Sequence, residues 1–163
     1  MKLLFISLGC DKNLVDSEEM LGMLAADGHE IVDDEDEAEV IIVNTCCFIG
    51  DAKEESVNTI LEMAEKKKAG TCKVLIVTGC MAQRYKKEIS EEIPEVDAIL
   101  GTTSYGEISK AVKEAQAGRH FEEYKSIDFL PDISGKRMLT TGGHFAYLKI
   151  AEGCDKHCTY CII

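Results

Sequence analysis

The chain has 163 residues, a formal net charge of −12, and 45% hydrophobic against 29% charged residues. That balance excludes a disordered chain, and two prolines and 13 glycines exclude collagen-like or low-complexity sequence. No apolar run reaches the ~18 residues needed to span a bilayer, so no membrane association is expected. The acidic sign opposes direct DNA binding, and RNA likewise, because nucleic-acid binders neutralise phosphates with Lys and Arg.

The chain alternates short β-branched runs with longer helical patterns. Leu3–Ser7 reads as a strand, and no secretory leader is read in it. Leu14, Met20, Leu21 and Leu24 then recur at helical spacing, predicting a helix over 14–26. A short strand is expected at Glu30–Val32 and a longer one at Val40–Val43. Asp51 with Glu54 forms a candidate capping pair before a helix over 52–68. Val74–Thr78 is the next strand, followed by a helix over 82–92, a strand at Ala98–Leu100 and a helix over 105–117. Gly28, Gly70 and Gly118 stand just past helix ends. Alternation of this kind predicts an α/β fold: an open, mostly parallel, doubly wound sheet of the flavodoxin or Rossmann-like three-layer type. Residues 1–118 would form this domain and 119–143 a linker, with an edge strand near Phe121–Tyr124. Residues 144–163 would begin another unit, with a strand over Phe145–Ile150.

Between Asp27 and Glu39 lie eight acidic residues and no Lys or Arg. The ordinary reading is a solvated loop; the sharper one is a docking face for a basic partner.

Eight cysteines set this composition apart. With no targeting segment read, a cytosolic location is expected, and there such a count favours metal or redox chemistry over disulfides. Cys154, Cys158 and Cys161 are spaced C-x3-C-x2-C, which suits three corners of a 4Fe–4S cluster and leaves one iron open. Zinc is the rival, with His157 or His144 as fourth ligand. Tyr160 would shield the metal side or simply pack. Cys10, Cys46 and Cys80 each follow a predicted parallel strand. The carboxyl ends of such strands line one edge, so these three thiols can converge on a metal there, near helix N-termini that favour an anionic cluster. Each could alternatively be a buried structural cysteine. Cys47 and Cys72 are read as packing residues. Asn13 is read as a helix cap, or as a hydrogen-bond donor to a substrate or cluster sulfur; Gln83 and Arg84 carry a similar ambiguity.

The segments SLGCDKNLVDSE, VNTCCF, VTGCMAQRY and YLKIAEGCDKHCTYCII together resemble the radical S-adenosylmethionine methylthiotransferases, over nearly the whole chain from Leu3 to Ile163. The opening GCDKNLVDSE is similar to the branch that modifies ribosomal protein S-twelve, rather than the transfer-RNA branch, which usually reads GCQMN there. The resemblance implies that Cys154, Cys158 and Cys161 hold a radical 4Fe–4S cluster whose open iron binds S-adenosyl-L-methionine and cleaves it to a deoxyadenosyl radical. It implies that Cys10, Cys46 and Cys80 hold an auxiliary 4Fe–4S cluster that carries or supplies sulfur. The implied reaction installs a methylthio group on the β-carbon of an aspartate in the ribosomal protein. The implied partners are that protein and an electron donor, flavodoxin-like or similar.

The resemblance also implies a radical domain built as a barrel of parallel strands, which needs ~200 residues. Only about 20 follow the linker, so the chain reads as cut off after the first strand and cluster loop of that barrel, and is expected to be inactive alone. Two other readings stay open: transfer-RNA adenosine methylthiolation, and a non-catalytic iron–sulfur or zinc-binding α/β module.

Overall fold

The computed structural model describes residues 1–132, 135 and 137–161. Strands β1 (Lys2–Ser7), β2 (Glu30–Ile31), β3 (Val40–Thr45), β4 (Val74–Gly79), β5 (Ala98–Leu100) and β6 (Phe121–Glu123) form one sheet in the order β2-β1-β3-β4-β5-β6. Every neighbouring pair is parallel. The edge strand expected near 121–124 is β6, so the sheet continues past residue 118.

The helices are α1 (Asp11–Ala26), α2 (Gly50–Lys68), α3 (Cys80–Arg84), α4 (Lys86–Glu92) and α5 (Ile108–Gln116), the last preceded by a 3-10 turn at Tyr105–Glu107. They cover both faces of the sheet. Side chains alternate along a strand. Thus Ile41, Val43, Leu75, Val77 and Ile99 meet Ile60 and Met63 of α2, Met81 of α3 and Ile89 of α4. Leu3, Val40, Ile42, Ile76 and Leu100 meet Met20 and Leu24 of α1 and Ile108 and Val112 of α5. Every residue of β3 and β4 is buried, the pattern expected of central parallel strands covered on both sides. Ile42 is fully buried at the centre of one of these layers. Ile42→Ala is therefore expected to cost about 2–5 kcal/mol, read as a lower urea midpoint at unchanged slope.

Three local expectations are corrected. The first residues of α2 carry no side-chain cap; its N-cap is Ile49, and Asp51 already lies within the first turn. The helix expected over 82–92 is two helices, because Tyr85 leaves helical geometry (φ −113°, ψ 34°) and packs its ring towards the core under Lys53, 4.2 Å from the ring centre. The stretch Phe145–Ile150 forms no strand. Its Phe145 and Tyr147 rings do share a side, 5.7 Å apart. A strand also needs a hydrogen-bonded neighbour, and this stretch lies against α1 rather than beside a sheet edge.

The acidic loop is tethered as well as solvated. Lys66 of α2 binds Glu35 at 2.9 Å and Asp36 at 2.8 Å, and Lys73 binds Glu39 at 2.7 Å. Among the described residues, no helix is long and apolar enough to cross a membrane.

Candidate metal centre

The strand order reverses at β1, which has β2 on one side and β3 on the other. In an open α/β sheet, ligands bind beyond the carboxyl ends of the strands at such a point. Cys10 follows β1, Cys46 follows β3 and Cys80 follows β4, so the three stand at the ends of adjacent strands on that edge. Cys10 is exposed, Cys46 buried and Cys80 half-buried.

Close backbone approach brings the cysteine loops together. Gly9 has φ +92°, and a Cβ there would lie 2.6 Å from the Cβ and 2.9 Å from the Sγ of Cys46. Only glycine lets the β1 loop pass so near that side chain. Gly79, next to Cys80, has φ +95°, and a Cβ would lie 2.5 Å from the carbonyl oxygen of Thr45. Ser56 of α2 secures the Cys46 backbone both ways: its hydroxyl accepts from the Cys46 amide at 3.0 Å and donates to the Cys46 carbonyl at 2.9 Å.

Beneath the thiols lies a layer of buried polar side chains centred on Asn13. Its Nδ2 donates to the carbonyls of Leu8 at 3.1 Å and Thr45 at 2.9 Å, and its Oδ1 faces the Cys80 thiol at 3.7 Å. One amide thus contacts all three loops. Asn44 donates to the Asn13 carbonyl at 3.0 Å and to the Ser17 hydroxyl at 2.9 Å. Ser17 and Ser7 hydroxyls lie 2.7 Å apart, and Thr45 Oγ1 donates to the Thr78 carbonyl at 2.5 Å. The helix-cap reading of Asn13 is corrected: α1 has Cys10 as its N-cap with no side-chain cap bond, and the Asn13 side chain clamps the strand ends instead.

Burial pushes the Cys80 thiol up to about 11, and the neighbouring thiols of Cys47, Cys46 and Cys10 add to the rise. Cys47 is raised for the same first reason, burial, and then by Cys46. Several thiols facing one another disfavour the thiolate, and a bound cation would reverse that balance. Soft sulfur donors at one sheet edge fit an iron–sulfur cluster. As they stand, no group of three His, Cys, Asp or Glu side chains among the described residues is gathered tightly enough to hold a metal ion.

The remaining cysteines fall as follows. Cys47 is buried in the core between sheet and helices, and so is Cys72, whose thiol donates to the Val74 carbonyl at 3.0 Å. Cys154 and Cys158 are exposed and Cys161 is half-buried; a turn bond joins the Cys161 amide to the Cys158 carbonyl at 3.1 Å. Tyr160 is exposed. Sequence reasoning missed the route by which this segment is attached. Lys12, two residues after Cys10, pairs at 2.7 Å with Glu152, two residues before Cys154. The signal was available only as unassigned charges around both motifs.

Residues 2–101 match the family described as "Uncharacterized protein family UPF0004". Over its whole length the chain is 63% identical to a protein of Lachnoclostridium phytofermentans named "Ribosomal protein uS12 methylthiotransferase RimO", and 51% identical to one of the same name from Clostridioides difficile. A third of that name, from Geobacter sulfurreducens, is 49% identical over 99% of the chain. The chain spans 37%, 37% and 36% of the lengths of these three relatives. On the first of these matches the chain belongs to the UPF0004 family, and it is similar over its whole length to the first part of proteins named as RimO methylthiotransferases.

Proposed function

We propose that this chain supplies the cluster-holding scaffold of a radical S-adenosylmethionine methylthiotransferase acting on ribosomal protein S-twelve. Cys10, Cys46 and Cys80 would hold an auxiliary 4Fe–4S cluster. Cys154, Cys158 and Cys161 would hold a second, whose open iron takes S-adenosyl-L-methionine. When bound, such clusters supply electron transfer and sulfur chemistry to the reaction. The parent protein would modify the β-carbon of an aspartate, work in the cytosol and draw on an electron donor; the longer relatives carry the corresponding name.

The observation that carries the reading is the placement of Cys10, Cys46 and Cys80 at three adjacent strand ends astride the reversal of strand order, with Asn13 in contact with all three loops. The chain's own contribution is to hold and orient. Gly9 and Gly79 admit the close approaches, Ser56 fixes the Cys46 backbone, and Asn13 sets the spacing of the loops.

The test is anaerobic reconstitution with iron and sulfide counting. Cys10→Ala, Cys46→Ala and Cys80→Ala are each expected to remove about four irons and about four sulfides per chain. Unchanged iron in all three would end the reading, and zinc without sulfide would replace it with a simple metal-binding module.

A further inference from the structure

Helix α1 carries two buried carboxylates whose hydrogen-bond partners come from far along the chain. Glu18 is fully buried. It accepts from Arg137 Nε at 2.7 Å, from the Thr140 amide at 2.6 Å and from the Thr140 hydroxyl at 2.8 Å, while its own carbonyl accepts from the Met138 amide at 2.9 Å. Asp16 is also buried and binds Lys149, which pairs in turn with Glu152 and lies 5.3 Å from the Tyr105 ring centre. Glu152 returns to α1 through Lys12 at 2.7 Å. Tyr147 lies beside Asp11, at the start of the same helix.

These contacts form an ordered series. From Glu18 back to Lys12, α1 meets residues 137 to 152 in succession, running towards its own N-terminus. Buried carboxylates are costly unless paired and hydrogen-bonded. In an exposed amphipathic helix, charges at these positions would face water; here they are covered. Hydrogen bonding from Thr140 and Arg137 outweighs the effect of burial and holds the Glu18 carboxyl below its usual range, whereas burial wins at Asp16 and raises it. The series ends at Glu152, so the segment Cys154–Cys161 starts within two residues of a tie to the Cys10 loop.

We propose that Asp16 and Glu18 are positioning residues: they hold residues 137–152 as a strap along α1 and root the second cysteine segment beside the strand ends that carry Cys10, Cys46 and Cys80. The assignment of two cysteine sets rests on the function proposed above, but the strap itself is testable without metal.

The experiment uses the metal-free 163-residue chain. A carbodiimide, which joins only amines and carboxylates already in contact, is expected to link Lys12 to Glu152, read by peptide mass spectrometry. Glu18→Gln is expected to speed hydrogen exchange at the Met138 and Thr140 amides about tenfold and to lower the yield of that cross-link, with the amides of β3 and β4 still protected. Arg137→Ala makes the same test from the strap side, where no core residue is touched, and decides the matter where Glu18→Gln fails to fold. Lys12→Glu and Glu152→Lys should each abolish the cross-link, and the double exchange should restore it. No Lys12–Glu152 link in the unaltered chain, or exchange at 138 and 140 unmoved by Arg137→Ala, would overturn the strap. Iron counts on Cys10→Ala report separately on the proposed function, so either idea can fall while the other stands.

Discussion

Gly79→Ala is expected to leave the chain largely unfolded at 37 °C. Gly79 adopts φ 95° and ψ −161°, a region open essentially to glycine alone. A Cβ there would also lie 2.5 Å from the Thr45 carbonyl oxygen, 2.9 Å from the Thr45 nitrogen and 2.3 Å from Asn44 Oδ1. The asparagine tip can swing, but Thr45 is backbone at the end of a central strand, paired in register with Gly79 itself. Strain and overlap together should cost more than about 4 kcal/mol, a large share of the stability of an ordinary domain. Gly70→Ala is the control: φ is +85°, yet nothing lies within 4 Å of the added carbon, so about 1–2 kcal/mol is expected. Urea titrations of the two variants compare them directly, and equal losses would refute the close approach of β3 and β4.

Asn13→Ala should cost about 3 kcal/mol and lower the melting midpoint by about 6–12 °C. The substitution strands two carbonyls, of Leu8 and Thr45, that the amide satisfies from a site only 3% exposed. Asn13→Asp should do worse, since a carboxylate cannot donate to either carbonyl and adds a negative charge beside Cys80. Both variants keep all eight cysteines. A fall in reconstituted iron would therefore report on the spacing of the loops rather than on loss of a ligand. Full iron uptake together with full stability in Asn13→Ala would show that the clamp is idle.

The strands were readable because each is a short apolar run bounded by turn residues, and β3 and β4 read as continuous because both faces are covered. Helix starts were less readable: α1 begins at Asp11 and α2 at Gly50, behind N-caps that make no side-chain bond and so leave no cap signature. The alternation of Phe145–Ile150 was a poor sign of a strand, since pairing is a property of two segments. The placement of Cys10, Cys46 and Cys80 along one sheet edge was legible because each follows a strand and parallel strands end on the same side. What holds that edge did not, because Asn13 meets residues up to 67 positions away, and nothing local distinguishes it from an ordinary cap. Glu18 was equally opaque: a glutamate in a helix reads as solvent-facing, and its burial depends on residues 119 and 122 positions later.

The polar layer under the thiols has a consequence for how such a protein matures. Small zinc modules collapse only when their ion arrives, so metal and architecture come as one event. Here the turns bearing Cys10, Cys46 and Cys80 are already tied by amide and hydroxyl groups of the polypeptide. The turns are thus ordered without any ion, so the metal-free chain is expected to fold by itself, and any ion it takes up would have only to draw the thiols of these turns closer.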